Sequence, residues 1–418
     1  MIDKKKLKHY CPVPFYSIEI NTNETAKLCC VSSKRYKTNK NFIEFWNSEE
    51  MESVRERMLS DEPDHQDCGV CYSREDNFNF SKRYDDLYRY KRFFTKKLIF
   101  PAHLQLKITN ICNLKCIMCS PQYSSKWNED VDKLKHMRTS LVKTKPEYLE
   151  HDYLKKILSM YLQTKTLTPK KIELYGGEPM LAKHFWKIIY NIDPIKLKNV
   201  SFVTNTNGTI ITDEHIKCLF RFKKCMINFS IDGIEDVFEF VRFPANWNRV
   251  ESNIKKLITY QDKLPHKFEI GLYYTLSSYS AIGLNDFIDY CHKNGYKYYI
   301  NIADTEPTPT EFYESRMNEL KEKYTEEEIN MLGLAVDPSI NVVNFSHPSA
   351  LPDRIKNKII NQVENKIDAD DFYKIKNALN VGHVELNKIQ KRFLVYCDLI
   401  KSVRGKDFKE LMEKYESS

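Results

Sequence analysis

No stretch of this chain is apolar and long enough to span a bilayer, so a transmembrane helix is not expected. The first residues, MIDKKKLKHY, carry positive charge without the apolar run that marks a secretory signal, and the expected address is the cytoplasm. There is no internal repeat and no low-complexity tract, which sets aside solenoids and disordered chains. A strong charge of one sign is missing too: 65 Lys and Arg against 57 Asp and Glu leave +8 over 418 residues. That balance permits an acidic partner without demanding nucleic acid. What is present is material for a sizeable core, 42% apolar residues with 26 Tyr, 23 Phe and 4 Trp. The length suggests about two or three domains.

The 12 cysteines are the informative excess. In a reducing compartment, thiols at short spacing read as metal ligands rather than disulfides. Cys11, Cys29, Cys30, Cys68 and Cys71 form an N-terminal group, and Cys112, Cys116 and Cys119 form a tighter second one. Cys218, Cys225, Cys291 and Cys397 stand alone in apolar or mixed surroundings, where core packing is expected.

The chain divides by texture. Residues 1–98 form a small cysteine-rich unit: a hairpin over 11–30 (FYSIEI, then TAKLCC), a helical stretch over 41–60, the loop DHQDCGVC and a basic connector. That connector, SKRYDDLYRYKRFFTKK, interleaves Arg, Lys and Tyr as nucleic-acid surfaces do, yet its two aspartates fit an amphipathic linker better. Residues 99–305 alternate strand and helix. Strands are expected at 103–109, 170–175, 200–205, 225–231, 267–275 and 297–303, with helices between them. This order predicts an α/β fold, a partial (β/α)6 barrel with a parallel sheet and ligands at the strand C-termini. Residues 306–418 read as amphipathic helices, a packing element or a substrate lid.

Cys112-Asn-Leu-Lys-Cys116-Ile-Met-Cys119 follows the first of these strands. Three thiolates at such spacing can hold three corners of one cubane and leave the fourth iron open for a ligand. The competing reading is a three-cysteine zinc site completed by a histidine such as His103.

The pattern resembles the radical SAM superfamily, whose signature is Cys-x-x-x-Cys-x-x-Cys after the first strand of a partial barrel. Gly176-Gly177-Glu178-Pro179, at the end of the next strand, matches the family's Gly-Gly-Glu-Pro motif. The resemblance implies a [4Fe–4S] cluster with an open iron on Cys112, Cys116 and Cys119, and S-adenosylmethionine as cofactor, its amino group meeting the Gly-Gly-Glu-Pro turn. Thr206-Asn207-Gly208 ends the third strand and Ser230-Ile-Asp232-Gly233 the fourth, with Arg242 beyond. In related maturases such a serine and arginine contact the cofactor, although a strand-ending turn would account for Ser230 and Asp232 equally. Met118 stands where many members carry an aromatic residue near the adenine, and a thioether is an apolar substitute.

The N-terminal group resembles a twitch domain, the short relative of the SPASM domain, which holds an auxiliary cluster. It usually follows the barrel, whereas here it precedes it. The glycine expected shortly before the second ligand is absent, with Glu24 nearest that place. The resemblance implies an auxiliary [4Fe–4S] cluster on Cys11, Cys29, Cys68 and Cys71, with Cys30 as the alternative to Cys29. Structural zinc on the same thiolates stays open.

Tyr274, Asn301 and Asp304 lie near strand ends and could face a substrate; Tyr274 and Asp304 are the candidate proton-transfer residues. The whole resemblance implies an enzyme that cleaves S-adenosylmethionine reductively and abstracts hydrogen from a substrate. The expected substrate is a peptide or protein side chain; the alternatives are a small polar metabolite or a nucleic-acid base, or a zinc-stabilised binding protein without catalysis. An external electron donor of flavodoxin or ferredoxin type is implied, and no membrane partner.

Overall fold

Each central strand carries two faces that differ in chemistry. In HLQLKIT, Leu104, Leu106 and Ile108 are fully buried, while His103, Gln105 and Lys107 alternate with them on the opposite face. A computed structural model describes residues 8–32, 34–38, 41–78, 81–89, 98–134, 142–164, 169–303, 348–380 and 386–417. It contains one mixed α/β sheet built from β1 (Ser17–Ile20), β2 (Thr25–Lys27), β3 (Tyr36–Lys37), β4 (His103–Thr109), β5 (Lys170–Gly176), β6 (Val200–Thr206), β7 (Lys224–Ser230), β8 (Phe268–Leu276) and β9 (Tyr298–Ile302). The order is β3-β2-β1-β4-β5-β6-β7-β8-β9. From β4 to β9 every pairing is parallel.

The crossovers supply the helical cover. His151–Gln163 lies between β4 and β5, Lys183–Asn191 between β5 and β6, and Asp213–Leu219 between β6 and β7. Glu235–Val241 and Trp247–Lys263 follow β7, and Leu284–Asn294 follows β8. Their apolar sides bury the outer strand residues: Phe185 and Phe202 stack at 6.2 Å, and Phe202 and Phe222 at 4.8 Å. Cys218, Cys225, Cys291 and Cys397 are buried as core residues.

The N-terminal residues are joined to the sheet rather than set apart from it. β1 pairs in parallel with β4, Ser17 against His103 and Ile20 against Leu106, and β2 folds back antiparallel on β1. The expected hairpin is therefore a three-strand extension of the central sheet. Glu24, at the place where a glycine was expected, adopts φ 62 in the turn before β2. This is the left-handed geometry that glycine ordinarily fills. The stretch DHQDCGVC, expected as a loop, begins the helix His65–Phe78. Three-residue spacing puts Cys68 and Cys71 on one helix face, so a paired thiol site and a helix satisfy the same pattern. The 41–60 stretch is two helices, Phe42–Trp46 and Glu49–Ser60, split where Ser48 caps the second one by accepting from the Met51 N–H.

Candidate active site

The C-terminal ends of β4 to β7 meet around a cavity of ≈ 560 Å³. Cys112, Cys116 and Cys119 line it, together with Met118, Tyr175, Gly176, Gly177, Glu178, Asn205, Asn207, Ser230 and Arg242. The sequence-expected residues thus converge from four strand ends.

The cysteine loop is held on two sides. On one side its backbone pairs with the Gly-Gly-Glu-Pro turn: the Gly177 N–H donates to the Thr109 carbonyl at 2.6 Å, and the Glu178 N–H to that of Ile111 at 2.9 Å. This approach explains the two glycines. A Cβ on Gly176, which has φ +141, would lie 2.3 Å from the Thr109 oxygen, and one on Gly177 would lie 2.3 Å from the Ile111 oxygen. On the other side, the N–H groups of Lys115 and Ile117 donate to the carbonyls of Phe243 and Val241, both at 2.8 Å.

The Glu178 side chain is only 1% exposed, and its carboxylate faces donors of its own chain. It accepts from the Thr206 hydroxyl at 2.7 Å, the Asn207 N–H at 2.7 Å and the Met180 N–H at 3.0 Å. Burial nonetheless pushes its pKa up. The resemblance implies that the turn this residue belongs to meets the cofactor amine. In the fold it locks the end of β6 to the turn after β5, and Pro179 is buried in the short helical turn that follows.

Two side chains reach the sulfurs. Asn207 Nδ2 lies 3.7 Å from Cys112 Sγ and donates to Asn113 Oδ1 at 3.0 Å. Arg242 Nη1 lies 3.9 Å from Cys116 Sγ, while its Nη2 pairs with Asp232 at 2.5 Å. Asp232 is fully buried and also accepts from the Thr275 N–H at 2.7 Å. It is set behind Arg242 rather than in the cavity wall, and so acts as a positioning residue. Burial pushes the Cys112 thiol up to about 12, with the neighbouring Cys116 charge adding to the effect.

The donor set suits an iron–sulfur group. Three thiols from one loop surround a cavity, and two of the sulfurs receive cationic or amide N–H groups, as anionic cluster ligands require. Among the described residues, no three His, Cys, Asp or Glu side chains are close enough to share a single ion. His103, the candidate fourth zinc ligand, starts β4 and bonds Glu173 at 2.8 Å. It stands at the other end of the strand from the cysteine loop, roughly 20 Å away at about 3.3 Å per residue.

The N-terminal thiols gather at that other end. Cys11 precedes β1, Cys29 follows the returning β2, and the helix His65–Phe78 brings Cys68 and Cys71. Burial pushes the Cys68 thiol up, and the charges of Cys11, Cys29 and Cys71 push it further. Cys29 likewise faces Cys11 and Cys71. Cys30, pushed up to about 11 by burial, has Lys82, Glu19, Glu173 and Lys27 as its charged neighbours instead. Cys29 thus has two of the other three as charged neighbours and Cys30 has none, although among the described residues no three of these thiols stand close enough to share one ion.

Tyr274 does not reach the cavity. It is fully buried on the outer side of β8, bonded to the Ser280 carbonyl and packed 4.8 Å from Phe287. Strand alternation turns its neighbours Tyr273 and Thr275 to the cavity face, where Tyr273 is in register with Ser230 on one side and Tyr299 on the other. Asn301 shares that face through its pairing with Thr275. Asp304 lies outside the described residues. The sequence reading missed Tyr175 and Asn205, although each immediately precedes a recognised motif residue on its strand. A second cavity of ≈ 450 Å³ lies outside the sheet between the helices His151–Gln163 and Lys183–Asn191, away from both thiol groups.

A parallel α/β sheet with three thiols, a glycine-rich turn and a buried arginine at its C-terminal edge defines a cofactor-binding domain of the iron–sulfur class. Residues 106–273 match the sequence model of the Radical SAM superfamily. This part of the chain is a radical SAM domain, a family that uses a [4Fe–4S] cluster and S-adenosylmethionine. The chain is 25% identical over 161 residues to a GTP 3',8-cyclase of Clostridium botulinum (strain Hall), covering 38% of this chain and 43% of that one. It is 30% identical over 193 residues to a GTP 3',8-cyclase of Staphylococcus saprophyticus, covering 46% and 50%. The matches thus span about half the length of these relatives. Among solved structures, native anSMEcpe with bound AdoMet superposes with TM-score 0.39 at 19% identity, over 55% of this chain and 62% of that one. Streptococcus suis SuiB bound to S-adenosylmethionine gives 0.35 at 16%, over 71% and 65%. Among the described residues no helix is long and apolar enough to cross a membrane.

Proposed function

We propose that this protein is a radical SAM enzyme acting on a peptide or protein side chain. The observation that carries the catalytic reading is the convergence of Cys112, Cys116, Cys119, the Gly-Gly-Glu-Pro turn, Asn207, Ser230 and Arg242 on one cavity. Held by these residues, a cluster would supply the electron for reductive cleavage of S-adenosylmethionine and so the oxidising power for hydrogen abstraction from a substrate.

The chain's own residues hold and shield. Cys112, Cys116 and Cys119 would ligate the cluster. Asn207 and Arg242 place N–H groups against two of the sulfurs, and Glu178 fixes Asn207 through its backbone. Ser230 and Met118 line the same cavity and would offer a hydroxyl to a ribose and an apolar contact to an adenine. The cavity face continues down the strands as the Asn205–Asn228 amide pair, at 2.8 Å, and the Tyr273–Tyr299 stack, at 4.6 Å between ring centres. Paired amides and stacked rings suit a polar, planar group such as a peptide unit. Cys11, Cys29, Cys68 and Cys71 would hold an auxiliary [4Fe–4S] cluster that accepts an electron after hydrogen abstraction. A flavodoxin- or ferredoxin-type donor would feed the first cluster.

A small polar metabolite or nucleotide is the second reading, favoured by the relatives named GTP 3',8-cyclase. The test is anaerobic: reconstituted protein is given S-adenosylmethionine and dithionite, and 5'-deoxyadenosine is quantified. Short peptides encoded beside the gene should raise its formation and be consumed; consumption of GTP instead would move the assignment to the second reading. Colourless protein that holds zinc alone would refute the enzyme reading.

A further inference from the structure

The chain's last two helices, Leu386–Arg404 and Phe408–Ser417, carry no motif. They are anchored by aromatic packing: Phe408 lies 5.0 Å from Phe240 and 5.5 Å from Phe393, and Phe393 lies 5.3 Å from Tyr279. That packing delivers Arg404 to the cysteine loop. The Arg404 side chain is 0% exposed, and its Nε donates to Asp130 at 2.9 Å. Asp130 also takes the Lys115 ammonium at 2.6 Å. The guanidinium lies 4.5 Å from the Trp127 ring centre and 5.6 Å from that of Phe243. Trp127 in turn donates to the Cys116 carbonyl at 2.9 Å. The groups that hold Arg404 thus also hold the backbone between Cys112 and Cys119.

Two atoms of this arginine are left over. Among the described residues, Nη1 and Nη2 are buried without a hydrogen-bond partner. Buried guanidinium nitrogens are costly unless an acceptor faces them, so this cation favours negative charge in its surroundings. Through Trp127, which stacks on the guanidinium and donates to the Cys116 carbonyl, Arg404 is a second buried cation beside the residue whose sulfur Arg242 approaches.

We propose that Arg404 is a positioning residue that raises the reduction potential of the cluster at Cys112, Cys116 and Cys119, so that the C-terminal helix tunes the site. This rests on the reading that those cysteines hold a cluster. One-electron reduction adds negative charge to an already anionic group, and a buried cation beside it favours the reduced form. Removing the cation makes the cluster harder to reduce.

The test is a potentiometric titration of the full-length reconstituted protein, followed by electron paramagnetic resonance, with iron content and thermal unfolding measured alongside. The Arg404→Gln variant should shift the oxidised-to-reduced balance about tenfold towards the oxidised form, a midpoint about 59 mV more negative for a one-electron couple. Arg404→Lys should restore at least half of that shift. Asp130→Asn removes an anion from the same cluster of side chains and should move the midpoint the opposite way. Lys401→Gln, which removes an exposed cation of the Arg404 helix that pairs with Asp407 beyond its end, should leave it unchanged. A purely structural arginine predicts altered unfolding with no midpoint change, or shifts of one sign in both Arg404→Gln and Asp130→Asn; either result overturns the proposal. Should Arg404→Gln not fold, the opposite signs expected of Arg404→Lys and Asp130→Asn decide it. Wild-type protein that takes up no iron at the three cysteines overturns the underlying reading instead.

Discussion

A single methyl group on Gly177 should empty the first thiol site. In the Gly177→Ala variant the new Cβ would sit 2.3 Å from the Ile111 oxygen, 2.6 Å from the Ile111 carbon and 2.7 Å from the Asn110 carbon. All three are backbone atoms of the cysteine loop, so no side-chain rotation relieves the clash. Overpacking of this kind costs about 1–3 kcal/mol. Relief by moving the loop breaks the two hydrogen bonds from Gly177 and Glu178 to Thr109 and Ile111, each worth about 0.5–1.5 kcal/mol net. The expected loss is about 2–6 kcal/mol, read as a lowered denaturant midpoint, and Cys112 moves with the displaced loop. Iron and sulfide after anaerobic reconstitution should therefore fall by about half if the N-terminal thiols hold the proposed second cluster, and almost completely if they do not. If the glycines instead serve only the approach of the cofactor, the variant keeps its iron and its stability and loses S-adenosylmethionine binding alone. That outcome would refute the reasoning.

Cys112→Ala, Cys116→Ala or Cys119→Ala should each abolish 5'-deoxyadenosine formation, measured chromatographically, because each removes one of three thiolates of the cluster. Glu178→Gln should weaken S-adenosylmethionine binding in equilibrium titration while both clusters assemble, since an amide cannot accept from Thr206, Met180 and Asn207 together and the Asn207 loop is freed. The same variant tests a pH effect: burial raises the Glu178 pKa, so wild-type stability should decline as pH rises from the ordinary carboxylate range through the folded value, and the variant should lack that slope in denaturant melts. A Cys68→Ala, Cys71→Ala double variant should lose iron yet still cleave S-adenosylmethionine slowly without substrate, while substrate turnover collapses. Zinc at that site predicts no loss of iron at all.

The strands of the parallel sheet were legible because each carries a short apolar run closed by a motif residue. KKIELY runs into Gly176 and VSFVTN into Thr206, so periodicity and chemistry marked the same boundary. The N-terminal sheet extension was not legible. Pairing of β1 with β4 joins residues far apart in sequence, and a four-residue strand has too little pattern to announce its partner. Tyr274 was misplaced by a single position: alternation alone cannot say which face of β8 is the cavity face until a neighbour such as Ser230 anchors the register. Glu178 was found but its partners were not, because Thr206 and Asn207 come from the next strand. Arg404 left no trace in the sequence, since its meaning depends on Asp130, Trp127 and Phe243, all distant in the chain.

The parallel pairing of Ser17 with His103 has a consequence for how current would flow through the molecule. It places one group of thiols at each end of β4, with a rigid strand rather than a hinge between them, and the separation is roughly 20 Å at about 3.3 Å per residue. Electron transfer weakens steeply with distance, so with both ends loaded as proposed an empty cavity is an open circuit. Asn205, Asn228, Tyr273 and Tyr299 stand on β6 to β9, on the opposite side of β4 from β1, β2 and β3 in the sheet order. The length of one strand therefore sets how far the two thiol groups stand apart.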